Sequence, residues 1–133
     1  MRELNIAYGN NRQAKRWVNK TIRFDDLKER LKVTIRTTES AEEYAKMSRA
    51  QRDAAKDHGG FVAGVLKGGR RKVDTVESRS MVALDGDRID AAFLEGYETL
   101  CPYTSALYTT HSSTEENPRV RLVFPLTRDV TPE

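Results

Sequence analysis

The sequence has a single cysteine and no long hydrophobic run. Cys101 stands alone among 133 residues, which excludes an intramolecular disulfide and a zinc site built on several thiolates. No stretch of 18 apolar residues is present, and the N-terminal residues lack the apolar core of a signal peptide. These absences predict an unexported, cytoplasmic protein that has no membrane partner.

An excess of one charge sign is also lacking. The chain has 23 Lys and Arg against 20 Asp and Glu, and a net charge of +3 is too small to indicate a nucleic-acid partner by itself. One six-residue stretch, the basic loop 67–72, nevertheless concentrates positive charge. Its four cations are Lys67, Arg70, Arg71 and Lys72. Such a loop can neutralise the phosphates of a nucleic acid, although a solvated hairpin turn explains the pattern about as well. The loop is not a Walker A motif, since no Gly-Lys-Ser/Thr follows its glycines.

The apolar periodicity predicts an α+β domain with a mostly antiparallel sheet flanked by helices. A chain of this length fills one domain or less. Alternating or continuous apolar runs predict the strands at residues 4–8, 61–66, 76–84, 105–110 and 119–124. Helical periodicity and the Ser40–Glu43 capping box predict the helices at residues 24–31, 40–55 and 90–100.

The last three residues, Thr131-Pro132-Glu133, have the pattern of a helix start: an N-cap, a proline at the first position and an acid in the first turn. We therefore expect residues 1–133 to be a fragment of a longer chain. A frayed polar tail is the alternative interpretation.

Two carboxylates follow the apolar run 80–84. Asp85 and Asp87 are spaced i, i+2, so in an extended backbone they face the same side with Cα atoms roughly 6 to 7 Å apart. This spacing suits a shared site for hard cations such as magnesium or manganese. Asp-Gly-Asp is also a common strand-ending turn, and by itself the pattern favours the turn.

Six segments in this order resemble the N-terminal region of phage and mobile-element primases of the virulence-associated E type, which are similar to the archaeo-eukaryotic primase superfamily. The resemblance is strongest from Gly59 onward. The segments are residues 59–64, 66–72, 78–81, 84–87, 108–111 and 118–122.

The resemblance implies roles for particular residues. In that superfamily an Asp-x-Asp motif holds the catalytic metals, and Asp85 and Asp87 match it. A small-x-His motif contacts the phosphates of the incoming nucleotide, and residues Thr109 to His111 match it. A further acid from a later strand completes the metal set. No position matches that acid, since Asp129 lies only 18 residues beyond His111, so the resemblance implies that the site continues past Glu133.

The function implied is template-directed nucleotidyl transfer with two metal ions. Nucleoside triphosphates and a single-stranded DNA template are the expected partners, and a helicase domain often follows in the family. Arg119 and Arg121, spaced i, i+2, can supply charge to the triphosphate or template, or can be solvated strand residues. The parent protein is expected to make primers, whereas residues 1–133 alone are expected to show little or no synthesis.

Two other classes of function stay open. One is a noncatalytic nucleic-acid-binding module that uses the basic loop, whose binding would weaken with salt and survive loss of the aspartates. The other is a metal-dependent nuclease or phosphohydrolase, because the same carboxylates can serve the activation of water.

Overall fold

The computed structural model describes residues 2–132, and these residues form seven strands and four helices. The predicted helix start at residues 131–133 includes Glu133, which lies outside the described residues. None of the four helices is long and apolar enough to cross a membrane. In chain order the elements are β1 (Glu3–Gly9), β2 (Val18–Arg23), α1 (Phe24–Leu31), α2 (Ala41–Lys46), α3 (Arg49–Lys56), β3 (Gly60–Val62), β4 (Gly64–Leu66), β5 (Val76–Gly86), α4 (Ala91–Leu100), β6 (Ala106–Thr109) and β7 (Val120–Val130).

The strands form two antiparallel sheets. The first has the order β2-β1-β3 and the second the order β4-β5-β7-β6. The prediction of an α+β fold with antiparallel pairing is confirmed, but the strands divide into two sheets where one was predicted. Strand β2 was not predicted, because only two of its six residues are apolar and five of the six are exposed at a sheet edge.

The predicted strand 61–66 is wrong as a single element, because it passes from one sheet to the other. β3 pairs with β1, whereas β4 pairs with β5. Ala63 lies between them, 3% exposed, and its carbonyl accepts a hydrogen bond of 2.9 Å from the Ser80 backbone N–H. The sequence is apolar in both strands because both are partly or fully buried. Its composition therefore does not show where the chain passes from the first sheet to the second.

The predicted helix 40–55 is also two elements. The capping box at Ser40 is confirmed, with the Ser40 side chain accepting from the Glu43 N–H at 3.1 Å. A second capping box follows, in which Ser48 accepts from the Gln51 N–H at 3.2 Å. Because Ser48 satisfies free N–H groups at the start of a new helix, α2 ends before Met47 and α3 begins after Ser48.

The main hydrophobic core joins the two sheets and α1. Strand β1 contributes Leu4 and Ile6, and α1 contributes Phe24 and Leu27, all at most 1% exposed. They pack on Ala63, Met81 and Val123. A smaller cluster contains Ala7, Trp17 and Leu66. Both clusters thus bury a large aromatic side chain, Phe24 in the main core and Trp17 in the smaller cluster.

A polar network ties β1 to one end of β5 and β7. The fully buried Ser80 hydroxyl donates to Asp129 at 2.6 Å and accepts from the Asn5 N–H at 2.9 Å. Asp129 also accepts from the Asn5 side chain at 2.7 Å and forms an ion pair with Arg2 at 2.9 Å. The Ser80 hydrogen bond, followed by those from Arg2 and Asn5, lowers the pKa of Asp129. Asp129 is therefore a structural residue and does not join Asp85.

Replacing the buried Ser80 by alanine should destabilise the fold by about 1 to 3 kcal/mol, since the partly buried Asn5 N–H and Asp129 carboxylate each lose a partner. Chemical denaturation of S80A measures this. The control is S78A on the same strand, whose side chain makes no hydrogen bond among residues 2–132 and whose loss should cost less than about 0.5 kcal/mol. Equal stability of the two variants would contradict the role of Ser80.

The lowered pKa of Asp129 predicts an acid dependence of stability. A carboxyl whose pKa is lower in the folded state contributes fully above its unfolded pKa of about 3.9, and the contribution is lost as the pH falls through the folded pKa. Between about pH 5 and pH 3 the native chain should lose more unfolding free energy than D129N. Denaturation at several pH values gives the unfolding free energy of both proteins. If it fell equally in both, Asp129 would not cause the loss of stability in acid.

Candidate functional site

The candidate site lies at the end of the second sheet opposite Asp129. In the strand register Asp85 of β5 faces Arg121 of β7, and Arg121 faces Tyr108 of β6. Asp87 lies in the bend just after β5, and His111 lies in the turn after β6. Antiparallel pairing thus places residues up to 36 positions apart in sequence at one sheet end.

An open cleft of about 280 Å³ forms at this end, and both aspartates line it. Its eight lining residues are Lys56, Asp85, Asp87, Thr110, His111, Ser112, Arg119 and Arg121. Five of the six residues predicted to hold metal or nucleotide are therefore together. The sixth, Thr109, is the last residue of β6 and does not line the cleft, where its neighbour Thr110 does.

Asp85 and Arg121 form an ion pair inside the cleft. The Arg121 Nε donates to Asp85 Oδ1 at 2.7 Å, and their side chains are 56% and 41% exposed for Asp85 and Arg121 respectively. Burial has the largest single effect and lowers the pKa of Arg121, but the hydrogen bonds and charges of Asp85 and Tyr108 together outweigh it, so the pKa is raised. Burial raises the pKa of Tyr108 beside them, so its hydroxyl stays protonated at neutral pH. A pair this exposed contributes about 1 kcal/mol or less, so a ligand can displace it.

His111 is held by residues from the segment before α2 and from α2 itself. Its Nε2 lies 3.1 Å from the Thr37 hydroxyl and 3.5 Å from a Glu39 carboxylate oxygen. The Tyr44 ring lies 4.8 Å away, and the Tyr44 hydroxyl is 3.0 Å from the Ser112 hydroxyl. The Thr37 hydroxyl donates to Glu39 at 2.5 Å and is the largest cause of the lowered pKa of Glu39, to which His111 also contributes. The imidazole is therefore fixed at the rim before any ligand binds.

Four residues around the cleft and His111 were not predicted from the sequence: Thr37, Glu39, Tyr44 and Lys56. All four precede Asp85 by 29 residues or more, and their neighbours in sequence carry no metal-ligand spacing. Only the tertiary placement of α2 and α3 against the turn after β6 brings them to His111 and the cleft. The capping boxes at Ser40 and Ser48 were readable signals of the two helices, but not of what they pack against.

The basic loop does not line the cleft. It forms a 3-10 turn, Lys67–Gly69, and the residues that follow it, on the connection from β4 to β5. Arg71 donates to the Arg12 carbonyl at 2.7 Å, and its guanidinium lies 5.2 Å from the Trp17 ring centroid. At least one of the four predicted nucleic-acid-binding cations therefore has an intramolecular partner.

The cleft offers hard oxygen ligands in a partly formed set. Asp85 and Asp87 provide carboxylates, the ligands that magnesium and manganese prefer. Within residues 2–132, no group of three or more His, Cys, Asp or Glu side chains is placed to hold a metal ion. The donor chemistry thus fits a divalent cation that keeps several other ligands, such as water or phosphate oxygens.

A family model described as the VapE N-terminal domain matches residues 1–133 of the sequence. The chain belongs to this family. No curated protein and no solved structure matches it. The match confirms the predicted resemblance to the N-terminal part of VapE-type proteins of phages and mobile elements.

As a VapE N-terminal domain, the chain carries its charged motifs in a definite arrangement. The two aspartates, the histidine turn and Arg121 meet at one end of the second sheet. The basic loop lies on the connection from β4 to β5, outside the cleft. Among residues 2–132, the eight lining residues are the ones that a ligand in the cleft would contact.

Proposed function

We propose that this VapE N-terminal domain is the first part of a primase catalytic domain that performs template-directed nucleotidyl transfer in phage or mobile-element DNA replication. The observation that carries the proposal is the meeting of Asp85, Asp87 and His111 with two arginines in one cleft. If the Asp-Gly-Asp segment and the histidine turn were only structural turns, there would be no reason for their charged side chains and two arginines to line the same cleft.

Each group has a role that its chemistry explains. Asp85 and Asp87 would hold magnesium or manganese, which would supply the positive charge that assists attack by a 3′-hydroxyl and stabilises the leaving pyrophosphate. His111, fixed by Thr37 and Glu39, donates a hydrogen bond to a phosphate oxygen of the triphosphate. Arg119 and Arg121 add forked donors for the same phosphates.

The ion pair between Asp85 and Arg121 defines how the cleft would change on binding. Asp85 would hold a metal ion, and the Arg121 guanidinium, released from Asp85, would then be available to the triphosphate. Without a ligand the pair balances the charges of these two side chains at small cost, since it is exposed. We also propose that a further acid outside residues 2–132 would complete the metal set, because no three potential ligand side chains among these residues are placed to hold a metal ion. Residues 1–133 alone should then make few or no primers.

Replacing Arg121 by glutamine should separate metal binding from nucleotide binding. Without its cationic partner, Asp85 should bind Mn²⁺ alone up to about fivefold more tightly, the equivalent of about 1 kcal/mol. Affinity for the Mn²⁺–nucleoside triphosphate complex should fall, because a phosphate donor is lost. Isothermal titration calorimetry of both ligands measures the split. R128Q, at an exposed position on the same strand, is the control and should change neither affinity. If the affinities of R121Q for Mn²⁺ and for the Mn²⁺–nucleoside triphosphate complex changed in the same direction, Arg121 would not pass from Asp85 to the triphosphate.

Primer synthesis tests the proposed function. A protein that carries this domain and the segment that follows it is incubated with single-stranded DNA, labelled nucleoside triphosphates and Mg²⁺ or Mn²⁺. Template-dependent products should form and should disappear in D85A and D87A. Full synthesis in these variants would overturn the proposal. Degradation of the template without synthesis would favour the nuclease alternative.

A further inference from the structure

A second concavity, here called the basic groove, lies between α1 and the sheet formed by β1, β2 and β3. Its volume is about 490 Å³, and it shares no lining residue with the cleft. Four cations or potential cations line it, together with several apolar side chains and no Asp or Glu. The former are Arg16, Lys20, Arg30 and His58. The larger apolar and aromatic residues are Tyr8, Val18, Leu27, Leu31, Ile35 and Phe61.

Three of the four cationic groups of the basic groove lack a carboxylate partner in the part of the chain that the structure describes. Within residues 2–132, Arg16, Lys20 and Arg30 form no ion pair with a carboxylate, while other cations of the same region do. Lys28 pairs with Asp25 at 3.3 Å, and Lys32 pairs with Glu29 at 2.7 Å. Positive groups gathered around a concavity that lacks acids favour an anionic occupant.

Aromatic side chains form part of the groove wall. Tyr8 and Phe61 are direct partners across the antiparallel pair β1 and β3, so their side chains lie next to each other on one sheet face. The Arg30 guanidinium lies 4.4 Å from the Tyr8 ring centroid. Aromatic rings and guanidinium planes are the surfaces on which unpaired bases stack. The groove therefore offers both halves of nucleotide recognition, stacking surfaces and phosphate-binding cations.

The basic groove is distinct from the basic loop. Val18 and Lys20 line the groove, and Asn19 between them faces the other side of β2, where it donates to the Leu66 carbonyl at 2.8 Å and accepts from the Leu66 N–H at 3.0 Å. The basic loop joins that other side, since the Gly69 carbonyl accepts from the Trp17 N–H at 2.7 Å. A ligand in the groove therefore contacts a different set of cations.

We propose that the basic groove binds single-stranded nucleic acid, with bases against Tyr8, Phe61 and Arg30 and phosphates paired with Arg16, Lys20 and Arg30. Cations on edge strand β2 and on α1 border the groove on two sides, which suits a strand that passes between them. The mixed apolar floor predicts little sequence preference. This inference goes beyond the proposed function, because it requires neither a metal ion nor the aspartates of the cleft.

Fluorescence anisotropy with a labelled single-stranded oligonucleotide of about 12 nucleotides, within the range such grooves cover, tests the proposal. The measurement is made in EDTA, so that the metal site does not contribute. R16Q/K20Q should weaken binding about tenfold and reduce the salt slope by about 1.4, since each phosphate contact contributes about 0.7 for a single strand. D85N/D87N should bind the oligonucleotide at least as well as the native chain.

The control variant is K67Q/K72Q, which removes two cations from the basic loop and changes the net charge by the same amount. It should weaken binding less than twofold. Equal weakening by the two double variants would overturn the proposal in favour of non-specific charge. Absence of binding in EDTA would also overturn it, as would a nucleoside triphosphate that competes as well as the oligonucleotide. All four substituted residues are exposed, so both double variants should fold like the native chain. Circular dichroism spectra that match that of the native chain check this.

Discussion

Replacement of both Asp85 and Asp87 by asparagine is expected to abolish the metal-dependent binding of nucleoside triphosphates. The two aspartates are the acidic side chains that line the cleft, and asparagine keeps their shape but removes the charge that would hold a hard divalent cation. Loss of residues that only support metal ligands costs roughly 10- to 100-fold, so loss of both ligands should exceed about a hundredfold. Calorimetric titration of Mn²⁺ with a nucleoside triphosphate measures the change.

The control for this experiment removes two other carboxylates of the same end of the molecule. Glu115 and Glu116 are exposed in the turn before β7 and do not line the cleft. E115Q/E116Q alters the net charge as much as D85N/D87N does and should bind metal and nucleotide within a factor of about two of the native chain. A D85N/D87N protein that binds as tightly as this control would exclude the cleft as a metal site.

A single added methyl group at Gly64 should strongly destabilise the fold. A Cβ built at this position overlaps the carbonyl oxygen of Ser78 on the neighbouring strand β5, and a backbone atom cannot move aside as a side chain can. Gly64 is also buried at the point where the chain passes from the first sheet to the second. G64A should therefore destabilise the fold by about 3 kcal/mol or more, at the upper end for overpacking.

Gly60 provides the matched control for Gly64. It lies in the adjacent strand β3, four residues earlier, and a Cβ there meets no atom within 4 Å. G60A should change the unfolding free energy by less than about 1 kcal/mol, and a small stabilisation is acceptable because alanine restricts the unfolded chain. Thermal denaturation compares the two variants. If G64A and G60A unfolded at similar temperatures, the strands β4 and β5 could separate enough at Gly64 to accept a methyl group.

The predictable parts of the fold are those with local signals. Strand β1, helix α1 and the Ser40 capping box follow from alternation, helical periodicity and N-cap chemistry within a few residues. The division of residues 60–66 between two sheets could not be predicted in this way, because Ala63 is as apolar as its neighbours and only the pairing partners differ. The edge strand β2 was missed because exposure on both sides removes the apolar alternation.

The candidate site was predictable to a similar extent. The spacing of Asp85 and Asp87 and the order of the motifs indicated residues that do line one cleft. The contacts that position His111 come from Thr37, Glu39 and Tyr44, which have no sequence pattern that relates them to a histidine more than 60 residues later. The basic groove was also missed, because its cations are dispersed from residue 16 to residue 58 and become neighbours only in the folded chain.

Paramagnetic broadening by Mn²⁺ tests the central claim most directly. Amide NMR signals of the isotopically labelled chain are recorded with a nucleoside triphosphate during titration with substoichiometric Mn²⁺. The cleft predicts that signals of Asp85, Asp87 and the turn around His111 disappear first, while those of Asp129 at the opposite end of the sheet persist. Broadening centred on Asp129 or on the acidic residues of α1, or no selective broadening, would contradict a metal and nucleotide site at Asp85 and Asp87.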